Sequence, residues 1–504
     1  MDNYDLAVIG GGINGAGIAA DAAGRGLRVA LFEQADLGSA TSSASTKLVH
    51  GGLRYLETWE FALVRKALKE SQLLLELAPH LIQPVDIHLP YQKHLRPWLM
   101  IRAGLFLYNH LASRPSYPAA RAVRFAPDSP LKSDLNRGFS FADGQVDDSR
   151  LVVLNAIQAR SHGADVFVRH RCNRLEPGND CWELTVADLD ATDDRRFTAR
   201  AVVNAGGPWV SSLFDNCTGN QASHRVRLVK GSHIVVPRVY PGSQAYMLQN
   251  EDGRIAFVIP YQEEFTMIGT TEAEFAGDPG AATISDREVD YLLEIFNSYF
   301  KTRLDATDIV NTWSGVRPLI DESDASATRA SRDYRLVFED TPVPLLSVYG
   351  GKLTTYRLLA EQAVDRLKKV FPDLGPSRTD SDCLPGGDFQ TRDTLQDALS
   401  REYPWLDAGL LRRWIASYGT LTRTLLADCS QPADLGTGFG HGLSQREVDY
   451  LVDREWARTV DDILWRRTKL GLHFTQAEQQ SLQAYLDRRP GGNSSSAEDR
   501  TPGS

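Results

Sequence analysis

The chain has 504 residues, of which 42% are hydrophobic and 24% are charged. This composition excludes disordered, collagen-like and fibrous proteins and fits a globular protein of two or three domains. Its 55 Lys and Arg residues and 65 Asp and Glu residues give a net charge of −10, so the total charge predicts no affinity for nucleic acid. The five cysteines include no Cys-x-x-Cys pair, which argues against a metal site or a disulfide framework and favours a reduced, intracellular protein. No apolar run reaches the roughly 20 residues that a membrane-spanning helix needs.

The first 33 residues predict a dinucleotide-binding unit. Residues 6–9 are an apolar strand, residues 13–26 an alanine-rich helix and residues 28–33 a second strand. Between the first strand and the helix, Gly10, Gly12 and Gly15 form a Gly-x-Gly-x-x-Gly motif. The glycines allow a tight turn, close approach of the backbone to a pyrophosphate and close helix packing. Glu33 ends the second strand, where its carboxylate is able to bind a ribose, and this combination is specific for a dinucleotide.

A basic, apolar segment follows a helix predicted at residues 61–81. Residues 87–127 contain no Asp or Glu but six Lys and Arg residues. Within this segment, residues 93–111 carry many large apolar side chains and are too short to span a bilayer. Two interpretations remain open: a helix that lies in the interface of an anionic membrane, or a helix buried in the core or in a dimer contact.

Further strands are predicted at residues 164–169, 201–204, 233–237, 254–259, 265–269 and 345–349. Helical periodicity dominates residues 391–489, after a linker at the glycine pair 386–387. The charged cluster of this region, which includes Arg466, Arg467 and Lys469, is expected to form ion pairs on a helix surface. Residues 490–504 lack an apolar face and are expected to be disordered.

Three segments distinguish FAD from NAD as the dinucleotide. A hydroxyl-rich loop at residues 39–47 and glycine turns at residues 202–209 and 349–357 are spread over 300 residues of the chain. A cofactor held by all of them is long, and FAD fits better than NAD. The candidate cofactor contacts, besides the motif glycines and Glu33, are Ile13, Asn14, Thr41, Ser42, Ser45, Thr46, Lys47, Leu48, His50, Gly51, Gly52, Ala205, Gly206, Trp209, Gly351, Lys352, Leu353 and Thr354.

Four longer motifs give the chain a family resemblance. Residues 42–57, 314–319, 350–357 and 461–471 resemble the FAD-dependent, respiratory glycerol-3-phosphate dehydrogenases. The resemblance implies oxidation of sn-glycerol 3-phosphate to dihydroxyacetone phosphate by hydride transfer from C2 to flavin N5, with electrons passed to a membrane quinone. It also implies a cytoplasmic homodimer attached peripherally to the inner face of the cytoplasmic membrane, and it favours the membrane interpretation of residues 93–111.

The expected fold is an α/β protein with three parts. A Rossmann-like FAD-binding domain of the glutathione-reductase and D-amino-acid-oxidase type is expected at residues 1–86, 145–220 and 340–385. A mixed β-sheet for the substrate is inserted at residues 87–144 and 221–339. An all-α C-terminal cap domain follows at residues 388–489.

The substrate that the resemblance implies suggests roles for several polar residues. Arginine forks suit a phosphate dianion, and the candidates are Arg54, Arg317 and, from the resemblance alone, Arg332. His233 is the expected general base because it begins an apolar strand after a glycine turn and exchanges protons near neutral pH. A histidine satisfied by backbone hydrogen bonds is the alternative for this position.

Further groups are expected around the reacting atoms. Lys352 and Arg317 are expected to stabilise the alkoxide, and Tyr55 and Thr270 to donate further hydrogen bonds. Three alternative functions stay open: an amine or amino-acid oxidase, whose arginines would bind a carboxylate, a soluble NAD-linked dehydrogenase, and a non-catalytic, redox-sensing flavoprotein on the membrane.

Overall fold

The computed structural model describes residues 2–93, 96–191, 193–218, 224–320, 333–340 and 343–489. Arg332 and the tail at residues 490–504 lie outside the described residues. Two large β-sheets and a C-terminal helical region make up the described chain. The predicted α/β class, with a Rossmann-like sheet and a second mixed sheet, is confirmed.

The first sheet contains the dinucleotide unit. Asp2–Ile9 lies between Val29–Glu33 and Asp194–Asn204 and is parallel to both. Helix Ile13–Gly24 connects the first two strands, and its alanines let it pack closely on the sheet. The apolar runs of these strands are buried because helices cover one face and a second apolar cluster the other. In spatial order the strands are Arg335–Glu339, Leu345–Tyr349, Asp194–Asn204, Asp2–Ile9, Val29–Glu33 and Asp165–Val168, with Trp182–Asp188 and His170–Pro177 joined at the side.

The second sheet is mixed, as predicted. Ala245–Gln249 runs parallel to Ile82–Pro90, whereas the other pairings are antiparallel. Helix Asp286–Tyr299 packs on one face through a buried aromatic cluster. In spatial order the strands are Ala273–Glu274, Val226–Pro237, Phe265–Gly269, Ile255–Tyr261, Ala245–Gln249, Ile82–Pro90, Arg137–Val146 and Leu48–Val49, with Asn311–Ile320 beside Val226–Pro237 and Arg121–Arg124 beside Arg137–Val146.

The predicted domain boundaries stay predictions, but three of them do not coincide with the ends of strands or sheets. Ile82–Pro90 and Arg137–Val146 are continuous strands of the second sheet, so the boundaries after residues 86 and 144 fall inside them. Arg335–Glu339 belongs to the first sheet and precedes the boundary at residue 340. The other helices before the C-terminal region are Phe61–Leu77, Trp98–His110, Asp148–Ser161, Val210–Thr218 and Tyr356–Arg366.

The C-terminal region is helical, with one small exception. Gly438–Gly440 and Leu443–Ser444 form a two-stranded ladder, so the region is not all-α. Its helices are Arg392–Glu402, Ala408–Tyr418, Thr422–Leu425, Gln445–Glu455 and Gln476–Arg488, and a single π-helical turn lies at Asp462–Arg467. Trp414, Tyr418 and Ile463 belong to its buried core.

Candidate active site

One cavity of about 1470 Å³ brings together segments from both sheets. It lies at the carboxyl ends of the first sheet's parallel strands, where α/β proteins bind nucleotides. Most of the predicted site residues line it: Gly10, Gly12, Ile13, Asn14, Glu33, Thr41, Ser42, Ser45, Thr46, Lys47, Leu48, His50, Gly52, Arg54, Tyr55, Ala205, Gly206, Trp209, Thr270, Arg317, Gly351, Lys352, Leu353 and Thr354.

Three predicted site residues do not line the cavity. A Cβ at Gly15 would overlap the carbonyl oxygen of Gly10, so this glycine serves the packing of helix on strand. Gly51 lies behind the cavity wall and donates its backbone N–H to the hydroxyl of Tyr108 at 3.0 Å. His233 is buried behind the wall, and Arg332 lies outside the described residues.

At the end of the cavity that is lined by the glycine motif, the backbone is able to approach a ligand closely. Gly10 has φ +111°, and a Cβ there would lie 2.5 Å from the carbonyl oxygen of Ala205. Gly12 and Ile13 line the cavity, so the N-terminus of helix Ile13–Gly24 faces it, and no acidic residue in the first turn neutralises the positive end of the helix dipole. The Glu33 carboxylate accepts backbone N–H groups from Gly11 at 2.6 Å and Ala35 at 2.8 Å. Each of its oxygens keeps capacity for a further donor such as a ribose hydroxyl.

The hydroxyl-rich loop is tied down by helix Asp148–Ser161. Asp148 accepts hydrogen bonds from the Ser45 hydroxyl at 2.7 Å and from the Lys47 ammonium at 2.7 Å. The Ser42 hydroxyl accepts the backbone N–H of Ile13 at 3.0 Å, which joins the loop to the dinucleotide helix. Lys47 therefore fixes the loop through a buried ion pair with Asp148.

His233 lies on the cavity side of the second sheet, but beneath the surface. Its ring stacks on Trp313 with the centroids 5.5 Å apart, and its Nε2 is 3.0 Å from the hydroxyl of Thr46, which does line the cavity. Burial, together with the charges of Arg317 and Lys47, holds the pKa of His233 well below its ordinary value. The ring is therefore neutral at physiological pH and reaches the cavity through Thr46.

A row of glycines makes room for these side chains. Gly269 and Trp313 pair with His233 on the neighbouring strands, and a Cβ at Gly269 would overlap the imidazole. Gly231 lies two residues before His233, and a Cβ there would lie 2.5 Å from Nη2 of Arg317. The guanidinium of Arg317 donates to the Thr270 hydroxyl at 3.1 Å. Glycine at these positions thus sets where the imidazole and the guanidinium lie.

Lys352 supplies the clearest sign of an anionic ligand. Its ammonium is buried, has no hydrogen-bond partner among the described residues and lies 3.8 Å from the centroid of the Tyr55 ring. A buried ammonium without a partner is costly, so such a group is retained where a ligand completes it. Arg54, one residue before Tyr55, also lines the cavity, as does Arg317. These three cations provide the chemistry for binding a phosphate and stabilising an oxyanion.

The sequence interpretation missed the C-terminal contribution to this cavity. Trp465, Arg466, Lys469 and Leu472 line it, and Arg467 lies fully buried beneath. These cations do form the expected ion pairs, but not on an exposed helix surface. Arg466 pairs with Asp462 four residues earlier and also with Asp36, Arg467 pairs with Asp36 and Glu455, and Lys469 pairs with Asp147. The signal available in the sequence was the position of Arg466, Arg467 and Lys469 inside one of the four family motifs.

A second feature is the exposed apolar face of helix Trp98–His110. Leu99, Met100, Phe106 and Leu107 are exposed, whereas Leu105 and Tyr108 pack into the second sheet's core. The helix is therefore not buried in the core of this chain. None of the helices in the described ranges combines the length and the apolar character that are needed to cross a membrane.

Comparisons with known families cover nearly the whole chain. Residues 5–357 match the family described as FAD dependent oxidoreductase, and residues 377–488 match the C-terminal domain of alpha-glycerophosphate oxidase. The first match spans both sheets and the second spans the C-terminal helical region, so together they account for the observed architecture.

Individual relatives agree. The chain is 51% identical to a glycerol-3-phosphate dehydrogenase of Pseudomonas aeruginosa, over 96% of this chain and 95% of that protein. It is 49% identical to the aerobic glycerol-3-phosphate dehydrogenase of Escherichia coli, over 96% and 98%. Among solved structures, the glycerol-3-phosphate dehydrogenase from Bacillus halodurans complexed with FAD matches with a TM-score of 0.75 and 28% identity, over 96% of this chain and 94% of that one.

Proposed function

Because the chain belongs to the FAD-dependent glycerol-3-phosphate dehydrogenases, we propose that the cavity described above is its active site. The reaction is the oxidation of sn-glycerol 3-phosphate to dihydroxyacetone phosphate. The observation that carries the assignment is the buried ammonium of Lys352, which has no hydrogen-bond partner among the described residues and lies in the same cavity as the glycine-rich dinucleotide turn. Bound FAD supplies the hydride acceptor for the reaction.

The residues of this chain fit FAD at its nucleotide end. Gly10 and Gly12 leave the helix N-terminus open to a pyrophosphate, and the carboxylate of Glu33 is in place for a ribose. Asn14 donates to the carbonyl oxygen of Gly350 at 3.1 Å and so joins the dinucleotide turn to the distant glycine turn. This contact supports one continuous binding surface for a long cofactor.

The substrate's charge and its reacting hydroxyl are assigned to three cations. Arg54 and Arg317 offer planar forks for the phosphate, with Arg332 as a further candidate. Lys352 is positioned by the face of Tyr55 and offers its ammonium to the oxygen on C2, where negative charge develops during oxidation. The Thr270 hydroxyl orients the Arg317 guanidinium through their 3.1 Å hydrogen bond.

His233 is assigned to the C2 hydroxyl proton through Thr46. The hydroxyl of Thr46 reaches the cavity and is within hydrogen-bond distance of Nε2. A proton is therefore able to pass from the substrate to the Thr46 oxygen while the Thr46 proton passes to the imidazole. The lowered pKa of His233 keeps its ring unprotonated at neutral pH before the reaction.

The test is an absorbance spectrum of the purified protein under anaerobic conditions. One equivalent of sn-glycerol 3-phosphate should bleach the flavin, whereas amino acids should leave it oxidised. Bleaching by amino acids alone would show an amino-acid oxidase, and a colourless protein would contradict the FAD assignment. A protein that binds FAD and is bleached by neither would be the non-catalytic flavoprotein.

The electron acceptor is proposed to be a quinone in the membrane, reached from the exposed apolar helix. Of the seven exposed large hydrophobic residues in the described chain, five are Trp59 and four residues of Trp98–His110. Arg96 pairs with Glu57 at 2.6 Å and joins the two segments into one surface. The absence of acidic residues from 87 to 127 favours anionic headgroups as the partner. The protein is accordingly proposed to attach peripherally to the inner face of the cytoplasmic membrane.

Vesicle flotation tests this attachment. The parent protein should float with anionic liposomes, and Phe106→Glu should reduce the floating fraction. Leu189→Glu is the matched control, because Leu189 is an exposed apolar residue at a distant hairpin of the first sheet. A parent that stays in the soluble fraction, or equal losses in both variants, would contradict the proposal. The homodimer implied by the family resemblance stays a prediction, which light scattering tests.

A further inference from the structure

The C-terminal region contributes a cationic segment to the wall of the cofactor cavity. Its π-helical turn, Asp462–Arg467, is followed by Thr468 and Lys469, and the side chains of Trp465, Arg466 and Lys469 line the cavity. π-turns interrupt the regular helical hydrogen bonds and are frequent at functional sites. The segment lies far along the chain from the glycine motif and carries no role in the reaction described above.

The first contact of this segment is with Asp36. Arg467 binds the Asp36 carboxylate through two hydrogen bonds, at 2.7 and 2.8 Å, and Arg466 adds a third from Nε at 2.5 Å. Asp36 is 4% exposed and lies in the turn that joins the strand ending at Glu33 to the hydroxyl-rich loop. The same turn is joined to the glycine motif, because the Gly38 N–H donates to the carbonyl oxygen of Gly11 at 3.0 Å.

The second contact is with the start of helix Asp148–Ser161. The ammonium of Lys469 lies 3.0 Å from the Asp147 carboxylate and also donates to the Ser149 hydroxyl. The intervening residue, Asp148, holds Ser45 and Lys47 of the hydroxyl-rich loop. The same C-terminal segment therefore anchors both ends of the loop at residues 34–47. It holds the first end directly through Asp36, and the second end through Asp147 and Asp148 at the start of the helix.

We infer that Arg466, Arg467 and Lys469 are positioning residues for FAD: they hold the cofactor-facing loop in its binding geometry, so that retention of FAD depends on docking of the C-terminal region. Multiple buried ion pairs fix a carboxylate rigidly, and a rigid loop costs less conformational entropy when the cofactor binds. The inference rests on the proposed occupation of the cavity by FAD and goes beyond it by giving the C-terminal region a part in cofactor binding.

The test is the dissociation constant of FAD for matched variants, measured by titrating the apoprotein and following flavin fluorescence. Arg466→Gln and Lys469→Met should raise it about ten- to hundred-fold, by analogy with the loss seen when groups that orient metal ligands are removed. Arg466→Lys should recover part of the loss, because it keeps the charge but not the fork. The control is Arg423→Gln, which breaks an exposed ion pair with Glu402 inside the C-terminal region and away from the cavity.

Hydrogen exchange separates positioning from loss of stability. In the FAD-bound Arg466→Gln protein, amides of residues 34–47 should exchange faster than in the parent, whereas Arg423→Gln should leave their exchange unchanged. An unchanged FAD dissociation constant in both test variants, or an equal rise in the control, would overturn the inference. If Arg466→Gln does not fold, hydrogen exchange of the parent protein with and without FAD tests the inference instead. FAD binding should slow the exchange of amides in residues 461–472. Protection by FAD that is confined to residues before 386 would overturn the inference. A parent without any FAD affinity would instead refute the proposed function.

Discussion

The glycine beneath Arg317 gives the sharpest test of the active-site geometry. Replacing Gly231 by Ala would place a Cβ 2.5 Å from Nη2 of Arg317 and 2.6 Å from the hydroxyl of Thr270, where ordinary contacts are 3.4–4 Å. The guanidinium must therefore retreat by about 1 Å, and displacement of a catalytic group by this distance costs about a hundred-fold in rate. This loss corresponds to about 2.7 kcal/mol of transition-state stabilisation.

The same change should cost little stability. The guanidinium end of Arg317 is able to move, whereas the hydroxyl of the short Thr270 side chain has less freedom. The cost of that second clash is offset because an alanine in a strand loses less backbone entropy on folding than a glycine. We therefore expect an unfolding midpoint close to that of the parent and a kcat/KM for sn-glycerol 3-phosphate that is about a hundred-fold lower.

Steady-state kinetics with an artificial electron acceptor, together with thermal unfolding, measure both quantities. Gly438→Ala is the matched control, since it is a strand glycine whose Cβ would meet nothing within 4 Å. A fall in kcat with little change in KM would place Arg317 at the reacting oxygen, and a rise in KM alone would place it at the phosphate. A kcat/KM within about three-fold of the parent's would refute the reasoning, because the guanidinium would then tolerate displacement.

Three polar side chains, those of Glu288, Lys352 and Thr46, give further predictions. Burial alone would raise the pKa of Glu288, but hydrogen bonds from Lys230, Thr271 and Ser285 lower it to about 2. Glu288→Gln should therefore lose about 3 kcal/mol of unfolding free energy at pH 7. Chemical denaturation should show that the difference in unfolding free energy between this variant and the parent vanishes as the pH falls from 4.5 towards 2. A difference independent of pH would contradict the role of an ionised Glu288. Lys352→Met should reduce kcat/KM by about a hundred-fold or more, which corresponds to about 2.7 kcal/mol. The unliganded variant should be as stable as the parent or more stable, because the change removes a buried ammonium that has no hydrogen-bond partner among the described residues. A large loss of stability would show a structural role instead. Thr46→Val should slow anaerobic flavin reduction while Thr46→Ser retains it, and equal rates in the two variants would exclude the relay to His233.

Local patterns in the sequence predicted the parts of the fold that depend on neighbours in the chain. The apolar run before Gly10, the alanine-rich helix and the strand ending at Glu33 appear in the structure at nearly the predicted residues. Strand, turn and helix signals act over a few residues, so they are readable without tertiary contacts. The same holds for residues 93–111, whose apolar character is present as an exposed helix face.

Other assignments depended on contacts that no local pattern contains. The sequence predicts His233 at the start of a strand after a glycine turn, but Gly231 and His233 both lie inside the strand Val226–Pro237. Only the pairing of this strand with its two neighbours decides that the His233 ring lies beneath Thr46. Likewise, the ordinary ion-pair pattern near Arg466 predicts a helix surface, whereas its partner Asp36 is 430 residues away. A carboxylate at that distance in sequence leaves no periodic signal around the arginine.

The sequence by itself thus determined the family, the dinucleotide turn, the cofactor loops and the cations available for a phosphate. Only the tertiary structure decided that the Lys352 ammonium has no hydrogen-bond partner among the described residues and that Arg466 is paired with Asp36. It also decided that Nε2 of His233 faces the hydroxyl of Thr46. The physical reason is that residue type and spacing fix what a side chain is able to do. Burial and partners, which come from segments hundreds of residues apart, fix whether its charge is directed to a ligand or neutralised within the protein.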